Sequence, residues 1–260
     1  MPDVASVGWR RIRIQVLVTG MAEKEGIHLL FRPLLSCGFI TFEEPQKIDQ
    51  LSPRSGDLKI TGTGKKILPT RDVQLGKIAL QFLGNLGQES NILIIVDDLE
   101  YDRRAIAAAV FERYRSALDA FLMPKGLHRR ASVHFLKFML EAYYLADPEA
   151  LGKALSARYP DAPMQAFENI VGDVEEVRHP KNVIKSHVVS FDEIRDGNAI
   201  LEELDVSKVL SNPDHCRSLR TMFHWCHSFM RDHPAYKEWS DRTDFPGLLE
   251  QKLWSLTANQ

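Results

Sequence analysis

Five consecutive aliphatic residues, Ile92-Leu93-Ile94-Ile95-Val96, run straight into Asp97-Asp98-Leu99-Glu100-Tyr101-Asp102. A short apolar run that does not alternate marks a strand covered on both faces, the centre of a parallel sheet. Such sheets bind ligands beyond the carboxyl ends of their strands, where this strand delivers its acids. Crowded carboxylates repel unless a cation or basic partner neutralises them, and hard divalent ions take oxygen ligands of this kind. The alternative is a strand end with solvated acids that cap the next helix.

The preceding chain fits a βαβ opening. Ile12, Ile14, Val16 and Val18 alternate with Arg13 and Gln15, predicting a first strand over 11–18 with part of its other face open to solvent. Thr19-Gly20 ends it. A helix is expected from Ala22 to about Leu35, with Pro33 as a kink or early stop. Glu23 lies in the first turn of that helix, where an acid also suits the helix dipole. A second strand is expected at 38–42. From 43 to about 72 the hydrophobic period disappears among Pro45, Pro53, Gly56, Gly62, Gly64 and Pro69, which predicts an irregular connection or short hairpin. Thr61-Gly62-Thr63-Gly64-Lys65-Lys66 lacks the spacing of a phosphate loop. Lys59, Lys65 and Lys66 read either as contacts to a nucleic-acid backbone or as a solvated loop.

Helices are expected at 73–86 and 102–121, and a further strand at 131–136. Glu141 then stands alone in the apolar run from Phe138 to Ala146. A buried acid in that setting is paired, protonated or bound to a cation. The last third is helical and loop-rich, with helices expected at 199–210 and 216–230. His215, Cys216, His224, Cys226 and His227 raise zinc, but their spacing suits core packing better.

Composition narrows the class. A 260-residue chain with 44% hydrophobic and 26% charged residues is ordinary for a soluble globular protein. A net charge of −2 argues against a generally basic nucleic-acid binder, though not against a local patch. Three scattered cysteines and no leader or membrane-length run predict a cytoplasmic protein without membrane association.

Taken together, Thr19-Gly20-Met21-Ala22-Glu23, Asp98-Leu99-Glu100, the helix around Leu140-Glu141-Ala142-Tyr143-Tyr144-Leu145-Ala146-Asp147-Pro148 and the late His179-Pro180-Lys181-Asn182 segment resemble a known family. It is the Toprim-like proteins of unknown function encoded beside AAA- or ABC-type ATPases in bacterial and phage-defence loci. They are distant relatives of the Toprim domains of topoisomerases, primases and overcoming-lysogenization-type nucleases. The resemblance runs from about Arg11 to Trp225. It implies a Toprim-like, largely parallel α/β core over 1–150, carrying the irregular insertion, and a helical extension over 151–260 packed on it. It further implies a nuclease using Mg2+ or Mn2+, with Asp98, Glu100 and Glu141 as metal ligands and Asp97 beside them. Glu23 would ligate or orient water, and Lys181 or Lys185 would stabilise phosphate charge. DNA or RNA and an ATPase of the same locus are the implied partners, with room for a homo-oligomer.

The family's first motif usually reads Glu-Gly-x-x-Glu. Here Thr19 stands for the first Glu, and Phe138 and Met139 replace a His and a Glu before Glu141. These departures support a rival expectation: a catalytically degenerate subunit that binds nucleic acid or its ATPase and regulates the assembly.

Overall fold

A computed structural model describes residues 11–53, 68–84, 91–170, 172–250 and 252–260. Lys59, Lys65, Lys66 and the Thr61–Lys66 segment lie outside the described residues.

The chain is an α/β protein built on a five-stranded, all-parallel sheet. Its strands are β1 (Ile12–Val18), β2 (Ile40–Phe42), β3 (Gln46–Lys47), β4 (Asn91–Leu99) and β5 (Ala131–Lys137). The order is β2-β1-β4-β5, with β3 also pairing β1, so the long acidic strand β4 is central. Register places Val18 beside Val96 and Asp98 beside Leu136. Since all strands run the same way, the carboxyl ends of β1, β4 and β5 meet at one edge.

Helices α1 (Met21–Leu30) and α2 (Arg32–Leu35) follow β1, and α3 (Thr70–Leu83) and α4 (Ala107–Leu122) flank β4 in sequence. After β5 come α5 (Glu141–Leu145), α6 (Pro148–Ser156), α7 (Pro180–His187), α8 (Arg195–Glu203), α9 (Val206–Val209), α10 (Arg217–Met230) and α11 (Pro234–Ser240). Pro33 sits in the first turn of α2, where its missing N–H costs nothing, so the first helix breaks at Phe31 rather than continuing to Leu35.

Alternation along β4 sorts its side chains between two apolar layers. Ile92, Ile94 and Val96 join Ile12, Ile14, Val16 and Val18 beneath α1, α5, α6, α8 and α10. Leu93, Ile95 and Leu99 join Val133 and Phe135 beneath α3 and α4. The first layer also contains Phe223, Trp225, Cys216 and Cys226, so the last third of the chain completes the cover of one sheet face. On the other face Leu17 joins the second layer and Gln15 is covered by the chain at Glu44, so β1 is buried on both faces apart from Arg13, where its alternation suggested a face partly open to solvent. Gln15, turned away from the first layer, donates from Nε2 to the Glu44 carbonyl at 2.9 Å.

The irregular connection contributes β3, which pairs parallel to β1, and among the described residues it forms no hairpin. The helix expected at 102–121 begins as a 3-10 turn over Tyr101–Ile106 before becoming α4. The helix expected at 199–210 is two helices, α8 and α9, because Asp205 caps the second by accepting from Ser207 N and Lys208 N. Along the outer edge of β5, the Gln260 side-chain amide donates to the Val133 carbonyl and accepts from Val133 N, at 2.8 and 2.7 Å.

Candidate functional site

Each of the three adjacent strands β1, β4 and β5 delivers one acid to the same edge. Glu23 is in the first turn of α1, directly after β1. Asp98 is the penultimate residue of β4, and Glu141 is the first residue of α5, just beyond β5. All three line one cavity of about 410 Å³, together with Gly20, Met139, Asp192 and Glu193.

Backbone geometry aims these groups. Gly20 is extended, and a Cβ there would lie 1.7 Å from Glu23 Oε2. The Glu23 carboxylate therefore occupies the space that any larger residue would fill. Phe138 and Met139 take φ of 58° and 83°, an unfavourable left-handed turn for two consecutive L-residues. This turn directs the chain from β5 into α5 and sets Glu141 at the cavity wall.

Two of these acids, Asp98 and Glu141, are perturbed by their surroundings. Burial, then the charge of Glu23 and a carboxyl–carboxyl hydrogen bond with it, raise Asp98 well above the usual carboxylate range. Burial likewise pushes Glu141 up to about 7, with the Glu23 charge adding to the rise and Lys181 opposing it. Asp98 Oδ1 and Glu141 Oε2 are buried without any hydrogen-bond partner. Leaving such oxygens unsatisfied costs on the order of 1–3 kcal/mol each.

Asp97 faces the other way, as alternation requires. Its buried carboxylate is gripped by Arg103, with Nη1 donating to Oδ1 at 3.1 Å and Nη2 to Oδ2 at 2.9 Å. Thr19 and Gln50 also donate to Oδ1, at 2.9 and 2.8 Å. Burial works against the Arg103 charge, but Asp97 outweighs it and raises the guanidinium above its ordinary range. The Thr19 hydroxyl additionally accepts from Asp98 N at 3.3 Å. In the position where the resembled family has its first Glu, this chain thus has a hydroxyl that ties the ends of β1 and β4 together.

Glu100 is exposed at the entry to the 3-10 turn and does not line the cavity. Lys181 and Lys185, on α7, both pair with Glu193, at 2.5 and 3.2 Å. Despite the opposing effect of burial, these ammonium groups hold Glu193 below the usual carboxylate range. The late basic segment therefore reaches the cavity through Glu193. Asp192 and Glu193 carry no sequence signal for this cavity. Their local signal is that of a helix start, with Asp192 accepting from Ile194 N and Arg195 N, and nothing nearby connects them with strands far away in sequence.

Among the described residues, no three His, Cys, Asp or Glu side chains form a ready-made metal-binding group. The cavity nevertheless fits a hard divalent cation chemically. Its ionisable wall is all carboxylate, two of the oxygens lack partners, and a cation would relieve the repulsion that the Glu23 charge exerts on buried Asp98. Cys216 and Cys226 are buried within the apolar layer, away from any such arrangement.

Fold and cavity together define an α/β protein with a carboxylate-lined site at the carboxyl edge of a parallel sheet. No family model matches the sequence, and no curated protein matches it. Among solved structures, the C-terminal region of the Xanthomonas campestris pv. campestris OLD protein is similar at 13% identity and a TM-score of 0.39, over 88% of this chain and 94% of that one. A likeness at that level assigns neither family nor function. Among the described residues, no helix is long and apolar enough to cross a membrane.

Proposed function

We propose that the chain is a Toprim-like, divalent-metal-dependent nuclease that hydrolyses phosphodiesters of DNA or RNA. On the family resemblance, it works in the cytoplasm as the effector of an AAA- or ABC-type ATPase in anti-phage defence. The observation that carries the reading is the pair of unpartnered buried oxygens, Asp98 Oδ1 and Glu141 Oε2, on the cavity that Glu23 also lines.

Asp98 and Glu141 would hold Mg2+ or Mn2+, with Glu23 completing the set or orienting water. A bound ion of this kind neutralises charge on phosphoryl oxygens and acidifies a bound water. The protein's own part is to present the carboxylates and to supply cations to the phosphate. Lys181 and Lys185 serve that last role once a phosphate replaces Glu193 as their counter-ion. Asp97 supports the site from behind by fixing the end of β4, and Glu100, exposed two residues beyond Asp98, is left out of the set.

A second reading, a non-catalytic subunit that binds nucleic acid or the ATPase, is favoured by Thr19. Its hydroxyl is committed to Asp97 and Asp98 N, so it replaces an acid with a structural tie. Cleavage of plasmid DNA and total tRNA with and without Mn2+, in the presence and absence of the partner ATPase, separates the two. The nuclease reading expects metal-dependent cleavage that disappears in Asp98→Ala. No cleavage under any condition, with binding retained in Asp98→Ala, refutes it in favour of the second.

A further inference from the structure

Beside the cavity lies a group of rings and cations that the proposed chemistry does not use. The Arg178 guanidinium carbon sits 4.3 Å from the centre of the Tyr101 ring. Tyr101 in turn packs against Phe138, with centroids 5.4 Å apart, and the His179 ring lies 6.0 Å from it. Arg104 and Lys137 lie over the Phe138 ring at 5.9 and 5.8 Å.

These cations differ in their engagement. Arg104 and Lys137 are both paired with Glu176, at 3.3 and 2.8 Å. Arg178 is exposed, and among the described residues it makes no hydrogen bond or ion pair. It is held by an aromatic face alone, which leaves its planar fork of five N–H donors available. A cation over a ring is common on protein surfaces. The placement of this one is less so. Tyr101 follows Asp98 by three residues, and Arg178 precedes Lys181 by three, so the stack joins the strand that brings an acid to the helix that brings the lysines. Phe138, beneath the stack, is followed directly by Met139 in the cavity wall.

We propose that Arg178, held over the Tyr101 ring, is a binding site for single-stranded nucleic acid, gripping one base by its face and the adjoining phosphate by its N–H fork while the strand enters the carboxylate cavity. A planar guanidinium on an aromatic ring offers a flat outer surface, and unpaired bases stack on such platforms. Bases within a duplex have both faces covered by their neighbours. The site therefore selects single strands over duplexes. It rests on the nuclease reading for the direction of the strand, but its test does not need cleavage.

Binding is measured in EDTA with labelled oligonucleotides of about 12 nucleotides, within the range of single-strand sites. DNA and RNA versions are used, each single-stranded and as a duplex, with anisotropy and the fluorescence of an internal 2-aminopurine as readouts. The wild type is expected to bind the single strand at least about tenfold more tightly than the duplex. Arg178→Ala and Tyr101→Leu should each weaken single-strand binding by about tenfold and leave duplex binding unchanged. Arg178→Lys restores the charge but not the plane, so it should remain weak and should not quench 2-aminopurine. Thermal melts check that the variants are folded; Arg178 is exposed and Tyr101 half-buried. Wild-type single-strand binding in Arg178→Ala and Tyr101→Leu overturns the inference. If Lys181→Ala still weakens binding in that case, the nuclease reading survives it. A wild type that prefers duplex, or that binds no nucleic acid, also overturns the inference, whereas the nuclease reading stands or falls on cleavage with Mn2+.

Discussion

Removing Arg103 tests the division of labour between the neighbouring acids of β4. Asp97 has no exposed side-chain surface, while Arg103 retains 13%. In Arg103→Ala the carboxylate keeps its hydrogen bonds from Thr19 and Gln50 but loses its cation. The Leu51 and Asp98 carbonyls also lose their donors from Arg103, at 3.1 and 2.7 Å. Breaking a buried pair by removing one partner costs about 3–5 kcal/mol. With an unfolding entropy of about 2.1 cal/mol/K per residue, a loss of 4 kcal/mol lowers Tm by about 7 °C for a chain of this length. Asp97→Asn should cost less, because the stranded Arg103 reaches water, and Asp97→Asn/Arg103→Ala should be more stable than Arg103→Ala alone. Urea and thermal unfolding of the four proteins give the cycle. A fall in Tm below about 2 °C for Arg103→Ala, or a double variant no better than that single, would show that Asp97 is neutral or hydrated and would return it to the candidate ligands.

Gly20→Ala should fold normally, since the backbone there is extended, and change stability by about 1 kcal/mol or less. It should nevertheless weaken Mn2+ binding by about tenfold, because the new methyl displaces the Glu23 carboxylate; unchanged affinity by calorimetry would exclude Glu23 from the site. His134 is buried with both ring nitrogens unpartnered, and burial lowers its pKa from 6.5 to about 3. The folded state therefore binds fewer protons than the unfolded state between those values. The group's contribution is intact above pH 6.5 and is lost as pH falls towards 3, at about 1.4 kcal/mol per pH unit. His134→Leu should abolish about 2 kcal/mol of the stability lost between pH 6.5 and 5; equal losses in urea titrations of both proteins would refute this.

Much of the sheet was legible because burial on two faces leaves its mark in composition. The unbroken run Ile92–Val96 locates the central strand, and period-two alternation sends Asp97 and Asp98 to opposite sides. Strand β3 was not legible, since two residues held by β1 carry no periodicity. The break between α8 and α9 turns on the cap at Asp205, within a stretch whose apolar spacing continues across it. At the site, Glu23, Asp98 and Glu141 lie where strand ends and helix starts can be read in order along the chain. Glu193 does not, because its place beside Lys181 and Lys185 arises from the way the chain returns from α7 towards α8. The left-handed turn at Phe138 and Met139 was also hidden, as neither residue advertises positive φ in the way glycine or asparagine does.

The back-to-back placement of Asp97 and Asp98 has a consequence for how this gene can change. Inserting or deleting one codon between Ile92 and Val96 would move the remainder of the strand by one residue, exchanging its two faces. The carboxylate that holds Arg103 would be thrown into the cavity, and the one that faces the cavity would be driven beneath α4. Aliphatic residues within the run are interchangeable at modest cost, so drift in their identity is tolerated while drift in their number is not. Viable length variation is therefore confined to the connections between strands.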